Sequence, residues 1–460
     1  MSDESTILSM KIPRTVINEK RTLWTIYVLI ILYALCYQLQ RPVEPLLVEY
    51  LFRQEEKVRM GQSSNNDLLP EQLARGEIIR TYGRLEAFFS VVQTVGSPLV
   101  GAILDKLGAR FTFVIVFTSC AMSYGILAHA KSMTMLFISK LPTLFQHAFL
   151  VAQAAAASCT SADASSRAEA LGRMTTAYTI GSTIGPALGG KIAANGDLYR
   201  GAYLAVLGSI LCIWISWFNL SNHSQKPKAF QSPSPSRDHR FRSIQDILAK
   251  KHLWPYLGAK FFSGVAASMY QTTLPLALMQ NLSFNSSLLG LSMSCSSATV
   301  ALFSAFFLGS LTSKLGTSNM MLSGLMGRVV FISFVSLAVT LTDVGVSITF
   351  SSWRPTFSSW RPTLAVLASV FYSIFSHILA TSMTTVTTGM VDSSEQGMLL
   401  GIEHGLFSIA RIVGPPLGAY LFTADSGSFW AITFSCMIID GYLLYFFLAR
   451  PSSAFTAHKT

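Results

Sequence analysis

Ionisable side chains inside long apolar runs are the first chemical signal in this chain, because a charge in hydrocarbon is costly unless it has a partner or a task. Glu86, Lys140 and Arg411 each interrupt such a run. Glu86 stands beside Arg84, and its carboxylate can either exchange protons or form a structural ion pair with a nearby base. Lys140 can be buried or can snorkel its ammonium to a membrane surface. Arg411 serves equally well as the buried partner of a carboxylate or as a contact for a solute. Arg41 and Glu44 flank Pro42, where they line a cavity or mark its mouth. Tyr270 and Gln271 can stack on and orient a cationic ligand, or simply pack. His147 and His377 have the chemistry of a proton site, although a lone His in an apolar run is more often structural. Glu403-His404 are expected to pair locally near a helix end, and Asp440 is expected to have a structural partner.

Other chemistries are missing. Gly185-x4-Gly190-Lys191 mimics a phosphate-binding loop, but Ile192 stands where Ser or Thr is needed and no strand precedes it. There is no nucleophile elbow, no metal-binding His pair and no dinucleotide fingerprint. The six Cys have neither metal nor CxxC spacing. The expectation is a chain that is not an enzyme and needs no cofactor or metal.

The elements that must position these residues follow from composition. Of 460 residues, 51% are hydrophobic and 12% charged, with mean hydropathy +0.45. That charged share is near half of the roughly 25% usual in a soluble domain. Apolar runs near the ~20 residues that cross a bilayer recur throughout, and they are continuous rather than alternating, which means helices and not barrel strands. The sequence therefore predicts an all-α membrane protein with twelve transmembrane helices, over 22–50, 77–103, 111–130, 133–158, 169–194, 199–219, 254–281, 288–312, 319–342, 363–390, 397–423 and 428–449. The first is read as a retained helix, since no cleavage site follows it.

An even number of crossings puts both tails on one side. Eighteen Lys and Arg fall in the segments of that side and nine in the loops opposite. This bias predicts cytoplasmic tails at 1–21 and 450–460, and it explains the net charge of +11 without any nucleic-acid partner. Segment 220–253 holds Pro-Ser-Pro-Ser-Arg and seven basic residues, and reads as a cytoplasmic linker between six-helix bundles at 22–219 and 254–449. Plasma membrane and an internal membrane both stay open.

The bundles echo one another. Asp163, Gly172, Gly185, Pro186 and Gly189 recur 229 residues later as Asp392, Gly401, Gly414, Pro415 and Gly418. Gly101…Asp105-Lys-Leu-Gly108 recurs 208 residues later as Gly309…Ser313-Lys-Leu-Gly316. The second half thus gained about 21 residues, and the loop holding the tandem Phe-Ser-Ser-Trp-Arg-Pro-Thr at 350–356 and 357–363 is the obvious place. The duplication suggests no function. Gly181, Gly185 and Gly189 recur every fourth residue, forming a side-chain-free helix stripe that a neighbour can approach closely, with Pro186 bending its own helix.

Segment 101–110 joins two helices by a turn that needs its glycines. Asp105 there can pair with a base or a helix N-terminus and so latch one end in one state only. This loop resembles the Gly-x-x-x-Asp-x-x-Gly-Arg-Arg motif of the major facilitator superfamily, through Gly101, Asp105, Gly108 and Arg110, departing at Ala109. Gly172, Gly181, Gly185, Pro186, Gly189 and Gly190 are similar to the fifth-helix pattern of that superfamily's antiporters. Closer still, Lys140-Leu-Pro, Ala170-Leu-Gly-Arg173 and Met398-Leu-Leu-Gly401 with Arg411 resemble the organic cation transporter-like branch of solute carrier family 22.

The resemblance implies the major facilitator fold, two pseudo-symmetric bundles rocking about a midplane site. It also implies exchange of protons for a small organic cation. Lys140 falls where the drug–proton group has a buried Arg, and His147 and His377 fall on cavity-lining helices. Two alternatives remain: a carrier of an endogenous organic anion or metabolite, permitted by Arg41, Arg84, Lys140 and Arg411, and a non-transporting membrane scaffold of the same fold.

Overall fold

In the computed structural model, residues 14–60, 71–159, 164–220, 249–340, 354–391, 396–424 and 429–449 are described. The first half comprises α1 (Arg14–Gln38), α2 (Glu44–Met60), α3 (Glu71–Ala128), α4 (Met133–Ile138), a 3-10 turn (Leu141–Phe145), α5 (Ala148–Cys159), α6 (Ala164–Ala194) and α7 (Arg200–Asn219). The second comprises α8 (Trp254–Leu282), α9 (Ser286–Phe303), a π-helical turn (Ser304–Leu308), α10 (Gly309–Leu315), α11 (Thr317–Thr340), α12 (Arg354–Thr388), α13 (Gln396–Ala424) and α14 (Trp430–Leu448). No strand occurs among the described residues.

Ten helical spans among the described residues are long and apolar enough to cross a membrane. Two expected spans, α6 and α8, are long enough but too polar to qualify. Their small and hydroxyl residues are spent on helix contacts instead. α8, for example, uses Ser263 on Arg328 and Ser268 on the Ala410 carbonyl.

Helix α3 turns back on itself at Gly108, whose φ of 76° lies in the left-handed region that favours glycine. The repeat partner Gly316 does the same at φ 78° between α10 and α11. The glycine spacing read from the sequence therefore marks two equivalent reversals.

Two helices expected to be continuous are broken. The first span gives way to a turn over residues 39–43, where Pro42 lacks an N–H. The fourth is interrupted between α4 and α5, around Pro142. Elsewhere, α12 begins at Arg354 rather than near residue 363, so the second heptapeptide copy is helical. Its Arg361 donates to the carbonyls of Ala338 and Val339 at 3.1 and 3.2 Å, closing the end of α11. Between the expected helices 22–50 and 77–103, the chain stays helical to Met60 and is helical again from Glu71. Most of the 220–253 linker, residues 1–13 and the tail at 450–460 lie outside the described residues, while 14–21 of the expected N-terminal tail are the start of α1.

Each half has its own apolar core, one around Ile26, Phe113, Val151 and Met174, the other around Tyr256, Met321, Met383 and Phe447. At the end remote from Gly108 a third core runs through both halves, joining Leu47, Ile78 and Tyr82 to Leu276, Phe422 and Phe429. Two seams close that end. α6 meets α9, where a Cβ on Gly290 would strike the Pro186 carbonyl and Gly190 lies 3.1 Å from it, and the Ala187 N–H donates to Ser294 Oγ at 2.8 Å. α3 meets α13, where a Cβ on Gly83 would lie 2.7 Å from Ala419 Cβ. At the Gly108 end, no described residue comes within 4 Å of where a Cβ on Gly101, Gly172, Gly309 or Gly401 would stand. Among the described residues, glycine seams thus join the halves at one end and none joins them at the other.

Candidate substrate cavity

The two helix breaks build the site. Irregular backbone is tolerated at membrane depth only where its polar groups find partners or line a cavity. The break in the fourth span follows this rule residue by residue. Ser123 donates to the Ser139 carbonyl at 2.8 Å, Gln93 to Thr143 at 3.0 Å and Tyr33 to Gln146 at 3.2 Å, and Ser119 reaches Pro142. Gly96 lets this backbone approach, since a Cβ there would strike the Leu144 carbonyl. The break is therefore pinned by side chains of α1 and α3, and Lys140 is held at its start.

Lys140 pairs with Glu44, the first residue of α2 at the other break, and its side chain is only 11% exposed. It does not snorkel. One turn away in space, Arg41 Nη1 donates to Glu86 Oε1 at 3.0 Å, and Tyr82 adds a longer 3.4 Å bond to the same oxygen. Glu86 thus takes its base from the first break, while its sequence neighbour Arg84 is exposed.

These pairs border two chambers. The first, about 400 Å³, is lined by Tyr37, Gln40, Phe89, Tyr124 and Lys140 among others. The second, about 310 Å³, is lined by Ser90, Gln271, Thr272, Arg411 and Pro415 among others. Arg41 and Glu86 line both, so their ion pair is the partition. Phe89 lies between two cations, 5.6 Å from Lys140 Nζ and 5.9 Å from the Arg411 guanidinium. Arg411 has no hydrogen bond or ion pair among the described residues. Three bases against two carboxylates leave the hollow with one positive charge over.

The other sequence candidates fall elsewhere. Tyr270 is buried in the core that runs through both halves, its ring 3.9 Å from that of Tyr372, while the next residue, Gln271, reaches the second chamber. His147 sits at the end of the break beside Gly96, lines neither chamber, and leaves Nε2 without a partner. His377 meets Ser304 at 3.2 Å. Glu403 pairs not locally but with Lys260 of α8, and accepts from Thr387 of α12 at 2.5 Å. Asp440 has the structural partner expected of it, Arg328 of α11, at 3.1 Å with both residues almost wholly buried. Arg328 escaped the sequence reading, although an arginine inside an apolar run was the signal that singled out Arg411.

The six residues of the antiporter-like pattern do three different things. Gly181, Gly185 and Gly189 lie against the backbone of α1 or its turn, where a Cβ on each would collide with it. Pro186 and Gly190 face α9, and no described residue comes within 4 Å of a Cβ on Gly172. In the 101–110 loop, the same holds for Gly101, and the side chain of Asp105 lies outside the described residues. Arg110 rests on the Trp217 ring of α7, 4.7 Å from its centre.

Helices broken at depth and two halves meeting around a charged hollow describe a carrier, and the comparisons agree. The model of the Major Facilitator Superfamily matches residues 79–350 and 256–459. The chain belongs to the Major Facilitator Superfamily. It is a multi-pass membrane transporter of small solutes and not an enzyme. Similar proteins include solute carrier family 22 member 18 of Rattus norvegicus, 24% identical over 74% of this chain and 79% of the relative. The class G tetracycline resistance protein of Vibrio anguillarum is 26% identical over 78% of this chain and 85% of its own length. Among solved structures, the nucleoside transporter NupG superposes with TM-score 0.64 at 14% identity, over 93% of this chain and 98% of that one. Among the described residues no group of His, Cys, Asp and Glu is arranged to hold a metal ion.

Proposed function

We propose that this chain is a proton-coupled, alternating-access carrier of small charged organic solutes, with Glu86 as the group that exchanges the proton. The observation that carries this reading is the partition itself: one buried carboxylate borders both chambers, is held by Arg41, and lies across the hollow from the unpaired Arg411. A proton on Glu86 raises the positive surplus of the site, so proton and solute are energetically linked there.

The sign of the linkage depends on the solute. An anion binds better when Glu86 is protonated and travels with the proton. A cation competes with the proton and is exchanged for it. The positive surplus and the free Arg411 support the anion. The antiporter-like pattern at Gly172–Gly190 and the likeness to a tetracycline resistance protein support exchange against a cationic, drug-like solute. The loop of Gly101, Asp105, Gly108 and Arg110 is the gate of the Gly108 end, with Arg110 on Trp217 in this state. The two-to-one distribution of bases supports cytoplasmic tails, in the plasma membrane or an internal one.

The test is flux in proteoliposomes under an imposed pH gradient. An organic anion is expected to move with the protons and a cation against them. Glu86→Gln is expected to abolish the dependence on the gradient while leaving exchange of solute for solute. Gradient-independent flux in the unaltered protein, or unchanged coupling in Glu86→Gln, removes the proposal.

A further inference from the structure

We infer that the hollow sorts a substrate by its two ends, and that the substrate class is an aryl-bearing organic anion, its ring held by the first half and its charge by the second. This deepens the reading of the hollow as the transport site and rests on it.

Every lining residue of the first chamber comes from the first half. Its charges are already spent, Lys140 on Glu44 and Arg41 on Glu86. The carbonyls freed by the helix break are spent as well, on Ser123, Gln93 and Tyr33. What remains is aromatic surface with neutral donors, the Gln40 amide and the hydroxyls of Tyr37 and Tyr124. Tyr37 and Phe89 present near-parallel rings with centres 6.3 Å apart, and Tyr124 lies beside them. Gln40 Nε2 is buried there without a hydrogen-bond partner. Such a wall accepts a flat ring with an acceptor atom on its edge. It has no uncommitted charge to offer.

The second chamber is the reverse. Its uncommitted groups are the side chains of Arg411 of α13 with Gln271 and Thr272 of α8, none of which makes a side-chain hydrogen bond to a described residue. A planar guanidinium with an amide and a hydroxyl beside it is a donor set for a carboxylate or another oxyanion. A cation placed there meets Arg411, and the one carboxylate in reach already holds Arg41. The chambers touch at the Arg41–Glu86 pair, which lines both, so a solute reaching from one to the other passes along it.

The test uses the full chain in detergent at one fixed pH, without any gradient, and four matched probes: phenylpentanoate, its uncharged amide, cyclohexylpentanoate and phenylpentyltrimethylammonium. Phenylpentanoate is expected to bind at least about tenfold more tightly than the amide, the worth of a charge-assisted bond. It is expected to bind about threefold more tightly than the cyclohexyl acid. Arg411→Gln is expected to bring acid and amide to equal affinity, while Arg411→Lys keeps the preference and shows that the site still folds. Equal binding of acid and amide by the unaltered protein, tightest binding of the ammonium probe, or an acid preference that survives Arg411→Gln overturns the inference. Because no gradient is used, Glu86→Gln should still prefer the acid. Loss of proton-driven flux with this preference intact removes the coupling proposal and leaves the substrate class standing.

Discussion

In the first half four ionised side chains meet at two helix breaks and border a hollow, whereas in the second a guanidinium and a carboxylate are sealed into the core. Arg41, Glu44, Glu86 and Lys140 keep side-chain exposures between 9% and 28%, against 2% and 1% for Arg328 and Asp440. The two arrangements have different physical consequences. Charges beside a hollow can lose a partner and find water or a solute. Charges in a sealed core cannot, so losing one partner leaves the full desolvation cost of the other. The first arrangement permits change during a cycle and the second forbids it. The Arg328 Nη1–H donates to Ser263 Oγ at 2.5 Å, while Tyr372 offers its ring 5.5 Å away, so α8, α11, α12 and α14 are tied as one body.

This contrast can be broken by stability measurements on paired variants. Asp440→Asn is expected to cost about 3–5 kcal/mol, because Arg328 stays buried without its counter-charge. Melting in detergent should fall sharply, and a double replacement of Arg328 and Asp440 by Met and Leu should restore most of it. Next in size is the seam of α6 with α9, which joins the halves. Gly290→Ala puts a methyl against the backbone of Pro186 and is expected to cost the closed seam about 1–3 kcal/mol. Accessibility of engineered cysteines at the closed end should rise accordingly. Gly83→Ala, in the other seam, should do less, because its Cβ would meet Ala419 Cβ at 2.7 Å and the Pro415 carbonyl at 2.9 Å, a shallower overlap than at Gly290. Ser294→Ala removes the acceptor of the Ala187 N–H and should shift the same accessibility by about 1 kcal/mol. Smallest in stability is Glu44→Gln, at less than about 1 kcal/mol since Lys140 can turn toward the hollow, with transport nonetheless impaired. Equal melting losses for Glu44→Gln and Asp440→Asn would erase the distinction between the halves.

Much of the architecture was legible because its signals are local. Apolar run length gives the spans, and the Lys-Leu-Gly echo gives two reversals with matching φ at Gly108 and Gly316. The site was less so, because its partners are distant in sequence. Glu86 invited pairing with Arg84, two residues away, yet its base comes from Arg41 across the bundle. Pro42 and Pro142 mark helix breaks, but nothing local says that Gln93 and Ser123 will hold the carbonyls those breaks release. Tyr270 and Gln271 are adjacent, and their helix has no strong polar face to say which of them meets the hollow. The glycine stripe shows the same limit. Its spacing reads as one seam that substitution at Gly185 or Pro186 would block alike. The structure separates them: Gly185 lies on α1 inside its own bundle, and Pro186 lies on the other half. Replacing Gly185 should therefore impair folding, and changes on the Pro186 side should affect opening.

The bond from the Ala187 N–H to Ser294 has one more consequence. It follows a proline, at the point where a helix is already short of one internal donor. When the halves separate, that N–H need not go unsatisfied, since α6 is helical through this point and offers it the carbonyl one turn earlier. Parting the seam then trades one partner for another, like a zip whose loose teeth close on themselves. A joint built this way can hold in one state and release in the other without either becoming a trap.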